Sequence, residues 1–496
     1  MLRKIRIALQ VVVMTGITLL LLGASWHLSV WLGWLAKIQF LPALMALNFA
    51  VLAVLIVLTL LLGRMYCSVV CPLGIMQDFF GWLGKKQKKN RYSHSPEKKW
   101  LRYTILAVFA VCLIVGFAPV TTLLAPYSAY GRIVNSLFKP LYDLLVNGLA
   151  AIESHYDSFM FSKVEVWMHS VTTTVVALLT LFVLAFLSWR NGRTYCNTIC
   201  PVGTTLSLFS RFSLLRIGFD KDKCKNCSLC EKNCKTSAID FRAGTVDYSR
   251  CVVCGDCLDR CKFDSLHYQP VWKLKKDRGT TAEGGPESPG RRAFVTGLAV
   301  AAGSAAVAQT KIKVDGGLAV IEQKKPVKRE MKLVPAGARS LKHFSKHCTA
   351  CQLCVSNCPN NVLRPDSNPL RLMQPYMSFE RGYCPPECTR CSQVCPTEAI
   401  EKITREDKTA IHIGHAQWIA DNCLPMQAGV ACDNCARHCP TGAITMAERE
   451  NAEGKTVKTP VVAPWLCIGC GTCENLCPAR PFPGIYVEGN EVHHVD

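Results

Sequence analysis

Cysteine spacing constrains this chain more than any other feature. Of its 29 cysteines, 24 fall into six groups of four. Cys224, Cys227, Cys230 and Cys234 follow the pattern C-x2-C-x2-C-x3-C, and Cys251, Cys254, Cys257 and Cys261 repeat it. Four further groups follow: Cys348, Cys351, Cys354 and Cys358; Cys384, Cys388, Cys391 and Cys395; Cys423, Cys432, Cys435 and Cys439; Cys467, Cys470, Cys473 and Cys477. Each of these four ends in Cys-Pro. Three thiolates on one tight loop suit three irons of a [4Fe–4S] cube, and a distal cysteine from a second loop suits the fourth. Six such clusters are therefore expected. Zinc would call for cysteine pairs rather than paired quartets. A disulfide scaffold would be a short secreted chain, whereas this one has 496 residues and long apolar stretches.

The first two groups form the run of bacterial two-cluster ferredoxins, with Lys235 and Lys262 in place of the usual proline. In that frame Cys261 completes the set Cys224, Cys227 and Cys230, and Cys234 completes the set Cys251, Cys254 and Cys257. The later motifs are similar to polyferredoxin subunits, and by fold analogy they are expected to pair in a nested way. Cys477 then completes Cys348, Cys351 and Cys354, and Cys439 completes Cys384, Cys388 and Cys391. Cys395 completes Cys423, Cys432 and Cys435, and Cys358 completes Cys467, Cys470 and Cys473.

Ahead of these motifs lie four long stretches without charge, at residues 7–36, 38–63, 103–131 and 166–189. Each exceeds the roughly 20 residues that cross a bilayer, so four transmembrane helices are expected. Trp26, Trp31 and Trp34 suit an aromatic belt at the end of the first. Segment 64–102 carries nine Lys or Arg against two acids, while 132–165 carries three against four. The positive-inside rule then places the N-terminus and residues 190–290 in the cytoplasm. Pro126, Tyr127, Tyr130 and Arg132 fall near the outer face as a quinol-docking patch or as interfacial anchors. His27 and His169 fall there too, but do not amount to a haem site.

One frame, G-R-x-Y-C-x3-C-P-x-G, occurs twice, from Gly63 to Gly74 and from Gly192 to Gly203, at what should be two cytoplasmic helix ends. It brings Cys67, Cys71, Cys196 and Cys200 to one membrane face, as ligands of a seventh iron centre, as redox dithiols, or as packed structural thiols. Cys112, inside the third stretch, fits no motif and suits an apolar core position.

The formal charge of +21 is compatible with nucleic-acid or anionic-lipid binding. Six clusters with their thiolates would lower it to roughly +9. No recognition helix, RNA-binding signature or zinc-finger histidine pattern accompanies it, so no nucleic-acid partner is expected. Residues 279–290 read as a flexible boundary, and Arg291-Arg292 with the small-residue run to Ala308 resembles a twin-arginine export signal. Export of a folded, cofactor-loaded unit would keep its thiols from oxidation outside. Residues 311–496 are then periplasmic, despite five lysines between Lys311 and Lys328.

Together these residues resemble two families. Residues 1–270, with four helices, two G-R-x-Y-C-x3-C-P motifs and a cluster pair, are similar to NapH-type membrane ferredoxins. Residues 290–496 are similar to NapG/MauM-type ferredoxins, as if the two were naturally fused. The expected fold is a membrane α-helical unit plus α+β ferredoxin-like [4Fe–4S] domains. A further signal-anchor helix is added if 290–310 is retained. The expected division is 1–215 membrane domain, 216–270 two-cluster domain, 271–340 linker and 341–496 four-cluster domain. The resemblance implies a multi-pass protein of the bacterial inner membrane, in contact with lipid and the quinone pool. It would pass electrons from quinol to a periplasmic reductase or cytochrome, as in nitrate-reductase-like respiration. The alternative is a maturation factor for a periplasmic metalloenzyme that works through the CxxxCP thiols. No nucleophile triad, P-loop or dinucleotide fingerprint is present, so at most a quinol-oxidising component is expected.

Overall fold

Apolar from Ile7 onward and basic at its start, the N-terminal segment forms helix α1 (Leu2–Leu22), 21 residues long. At 1.5 Å per residue it extends about 30 Å. A computed structural model describes residues 2–86, 92–154, 162–276 and 322–495 of the chain. The twin-arginine-like segment 290–310 and the boundary at 279–290 lie outside the described residues. Among the described residues two helices, α1 and the later Val171–Asn191, are long and apolar enough to cross a membrane.

The other apolar stretches are broken rather than continuous. After α1 the chain turns at Gly23 into α2 (Trp26–Leu32), α3 (Trp34–Lys37) and α4 (Phe40–Met45). Leu47 takes a left-handed φ of 52°, and the Asn48 side chain caps α5 (Phe49–Leu62) by accepting from Val51 N. The run 38–63 is thus two helices, because a residue in the left-handed region ends one helix and a cap starts the next. The short α6 (Tyr66–Val69) and α7 (Pro72–Lys86) follow. Next comes α8 (Lys99–Val115), which stops at the left-handed Gly116. The expected helix 103–131 therefore divides into α8, α9 (Ala118–Leu124) and α10 (Pro126–Ile133), with Pro119 and Pro126 opening the last two. A five-residue π-turn, Val134–Phe138, leads into α11 (Lys139–Glu153). Helix α12 (Val171–Asn191), α13 (Thr194–Thr198) and α14 (Pro201–Ser210) complete the helical part. Cys112 is half-buried rather than in the core.

The first cysteine pair sits in a small unit of two antiparallel hairpin-like sheets. Strand β1 (Leu215–Phe219) pairs with β4 (Leu266–Pro270), and β2 (Ile239–Asp240) with β3 (Thr245–Val246). The second array has β5 (Leu363–Pro365) on β6 (Pro375–Met377) and β8 (Ile444–Glu450) on β9 (Thr456–Val462). Strand β7 (Ile411–Trp418) pairs with β10 (Ile485–Val495). Residues 324–340, expected as linker, pack into this unit. Leu333, Val334 and Ala338 are fully buried, and Met377 N donates to Leu333 O. Arg329 forms a buried bidentate pair with Glu474 at 2.6 and 2.7 Å. Apolar burial outweighs the linker-like charge of this stretch.

The two cysteine units dock at opposite ends of the helices. At the Arg3 end of α1, Arg3 pairs with Asp256 and Asp259, each at 3.2 Å. Arg64 Nη1 and Arg102 Nη2 both donate to Ser249 O, at 2.8 and 3.2 Å. At the Leu22 end, Arg390 lies over the Trp26 ring, 5.0 Å from its centroid. Arg364 and Arg381 both stack on Trp167. The backbone of the second unit comes so close to α10 that a Cβ on Gly131 would lie 2.2 Å from Cys351 O. Only glycine permits that approach.

Candidate metal centres

Four of the six motifs share one backbone signature. The second residue after the first cysteine and the fourth residue after it both have positive φ. These are Asn226 and Ser228, Val253 and Gly255, Ala350 and Gln352, and Gly469 and Gly471. Five of these eight residues are not glycine, and such conformations are uncommon for other side chains. Alternating right- and left-handed residues turn successive N–H groups inward into an anion-holding nest, as around iron–sulfur clusters. Backbone N–H groups already point at sulfur, with Ala238 N 3.3 Å from Cys234 Sγ and Gly484 N 3.2 Å from Cys477 Sγ. All the described cysteines are free thiols. Among the described residues no three donors converge on a single-ion site. Burial pushes the Cys251 and Cys351 thiols up to about 12. Loading such a set therefore releases protons.

In the first unit Cys251, Cys254, Cys257 and Cys234 lie within electrostatic range of one another, and Cys224 and Cys227 lie beside Cys230. Lys235, in the place of the usual proline, is the docking residue. Its carbonyl accepts from Arg193 N at 2.7 Å, and its ammonium reaches Asp78 at 2.8 Å and Asp256 at 3.2 Å.

The second array does not follow the nested pairing. Cys395, not Cys477, adjoins Cys348, Cys351 and Cys354. Cys358 lines one cavity with Cys384, Cys388 and Cys391. Cys477 lines another with Cys423, Cys432 and Cys435, and Cys439 a third with Cys467, Cys470 and Cys473. Neighbouring motifs pair because closing the shorter loop costs less chain entropy. The short helices Leu353–Ser356 and Arg390–Val394 pack together, as do Asn434–Arg437 and Thr472–Leu476.

The repeated frame folds back into the helical bundle, and its thiols are buried. Cys67, Cys71, Cys196 and Cys200 are only 4–5% exposed and lie within electrostatic range of one another. The frame's residues have paired roles. Arg64 crosses to Cys196 O at 3.2 Å, and Arg193 crosses to Cys67 O at 2.6 Å. Tyr66 OH donates to Gln39 Oε1, and Tyr195 OH to Leu124 O. Pro72 and Pro201 start α7 and α14. A Cβ on Gly74 or Gly203 would lie 2.4 Å from the carbonyl of Cys67 or Cys196 respectively. The thiols themselves receive Gln77 Nε2 at 3.2 Å on Cys196 and Arg64 Nη2 at 3.9 Å on Cys67.

Comparison with known proteins bears on these sites. A family model described as a 4Fe-4S binding domain matches residues 44–90 and 172–220, which contain both copies of the frame. A 4Fe-4S dicluster domain matches 430–480. The methylamine utilization ferredoxin-type protein MauM of Methylorubrum extorquens is 33% identical over 204 residues, 39% of this chain and 86% of that protein. The chain belongs to the family of MauM-type ferredoxin proteins. The ferredoxin-type protein NapH of Escherichia coli is 27% identical over 245 residues, 47% of this chain and 70% of NapH. MauN of Paracoccus denitrificans is 31% identical over 196 residues, 39% of this chain. The chain spans about half the length of MauN and of the putative electron transport protein YccM of E. coli. No solved structure matches.

The matches mark this MauM-type protein as one with 4Fe-4S binding domains. Its structure brings three cations to the cysteine sites. Lys408 is buried and donates to Cys384 Sγ at 3.2 Å. Arg64 and Arg132 are fully buried, and among the described residues neither pairs with a carboxylate. Arg132 donates to Thr122 O, while its Nε and Nη2 have no hydrogen-bond partner. It lies between Tyr195, beside the interior thiols, and Cys351 of the second array. Arg64 is the arginine of the repeated frame, whereas no local motif marks Lys408 or Arg132. Pro126, Tyr127 and Tyr130 are buried with Arg132 under the second unit and are not interfacial anchors. His27 is exposed, and His169 stacks on Trp167.

A positive charge against a cluster sulfur favours the more negative, reduced state. Replacing Lys408 with Met is therefore expected to lower the midpoint potential of one centre and leave the others in place. A redox titration followed by electron paramagnetic resonance reads this. An unchanged set of potentials would mean that Lys408 serves only packing.

Proposed function

We propose that this protein passes electrons from the quinol pool, through six [4Fe–4S] clusters and a seventh iron centre at Cys67, Cys71, Cys196 and Cys200, to a reductase or cytochrome outside the cytoplasm. It would be a multi-pass protein of the bacterial cytoplasmic membrane, with α1, the α3–α5 run, α8 and α12 as four crossings. Residues 190–290 would lie in the cytoplasm and residues 311–496 in the periplasm. The observation that carries this reading is the placement of two cysteine arrays at opposite ends of the helices, with four buried thiols between them. When bound, the clusters supply one-electron transfer. The chain's own residues set the spacing and the charge. An unpaired guanidinium in an apolar interior costs several kcal/mol, so Arg64 and Arg132 call for anions beside them. Four thiolates bearing iron would be such an anion.

The same burial weighs against a maturation factor working through dithiols, because a partner disulfide must reach the attacking sulfur. Reduction of the clusters in membranes by an added quinol, followed by electron paramagnetic resonance, tests the donor. Clusters that respond only to a strong soluble reductant would refute it. Reporter fusions at residues 275 and 496 are expected to report opposite sides, and cytoplasmic activity at both would refute the topology.

A further inference from the structure

Where α7 meets the first cysteine unit, at the Arg3 end of the helices, lies a cavity of about 330 Å3. Six cations line it: Arg3, Lys85, Lys86, Arg193, Lys235 and Arg260. Two carboxylates oppose them, and both are already engaged. Asp78 takes Arg193 at 2.6 Å, Lys235 at 2.8 Å and Arg6 at 3.3 Å. Asp256 takes Arg3 and Lys235, each at 3.2 Å. Lys85, Lys86 and Arg260 form no ion pair among the described residues. Lys85 reaches only the neutral Asn233 side chain. Burial and the neighbouring Arg260 hold its ammonium below the ordinary value, as a cluster of like charges requires.

The rim of the cavity is apolar. Trp82 lines it and is 58% exposed, and Phe79, one turn earlier on α7, is 57% exposed. The two rings lie 6.3 Å apart, and Lys86 Nζ sits 5.8 Å from the Trp82 ring. A basic hollow edged by tryptophan at the end of membrane helices is the environment of a lipid headgroup. A soluble anion would leave the Phe79–Trp82 face uncovered.

We infer that this cavity binds the phosphodiester headgroup of an anionic phospholipid, with its acyl chains along Phe79 and Trp82. The inference rests on the reading that the helices lie in a bilayer, and is independent of the electron donor. The phosphate would neutralise Lys85, Lys86 and Arg260. It would also bridge α7 to the loop that carries Asn233 and Lys235, and so clamp the first cysteine unit against the helices.

Native mass spectrometry of the whole protein, released from vesicles of mixed phosphatidylglycerol and phosphatidylcholine, tests this. The expected result is one phosphatidylglycerol retained in preference to phosphatidylcholine. The triple change Lys85→Gln, Lys86→Gln and Arg260→Gln is expected to remove that preference, and Lys85→Arg with Lys86→Arg to keep it. Retention in proportion to the vesicle composition would overturn the inference, as would displacement of the lipid by inorganic phosphate. The single exposed-side change Lys86→Gln, with iron content unchanged, is expected to reduce retention on its own. Full retention in that variant would count against the assignment.

Discussion

Replacing any one of Cys67, Cys71, Cys196 and Cys200 with Ser is expected to abolish quinol-driven reduction of the second array, and a double replacement such as Cys67→Ser with Cys196→Ser to do no further harm. The four thiols share one buried site, and each frame's arginine holds the other frame's first cysteine. Groups that act as a unit are non-additive in this way. Iron is expected to fall from about 28 to about 24 atoms per chain, at four irons per centre. Iron analysis with the kinetics of reduction reads both effects. Additive partial losses would indicate two separate dithiols, and no loss in any single variant would make the thiols packing residues.

Arg132→Met carries the second large effect, and its sign is diagnostic. The side chain is fully buried, has two unpartnered nitrogens and pairs with no carboxylate among the described residues. Beside neutral thiols such a charge is a burden, and an apolar replacement of similar length would stabilise the protein. Beside an anionic centre the same replacement breaks a buried charge pair and costs about 3–5 kcal/mol. The expected outcome is destabilisation, with lower potentials for the adjacent centres, and partial rescue by Arg132→Lys. Denaturant unfolding of the detergent-solubilised protein measures it. A Met variant as stable as the parent would remove the electrostatic argument for an anionic centre beside Arg132.

Some of this architecture was legible residue by residue. Three of the four thiols in each motif lie close in sequence, so the loop that wraps a cluster is a local matter, and the left-handed residues at 226, 228, 350 and 352 bear that out. The repeated frame was equally local, and its arginines, tyrosines, prolines and closing glycines make matching contacts in both copies. Apolar length was the weaker guide. Four stretches exceed 20 residues, yet Leu47, Gly116 and two prolines break two of them into shorter helices. Mean apolarity does not register a single backbone reversal.

What belongs to the sequence alone is the number and type of cysteine sets, the apolar segments and the family, because ligand spacing and hydropathy act over a few residues. What only the tertiary structure decided is the fourth thiol of each later set, the counter-charges at Lys408 and Arg132, and the docking of the two arrays at opposite ends of the helices. Those features join residues far apart in the chain. They follow from loop-closure entropy, from desolvation of buried charge and from the close approach that Gly131 allows.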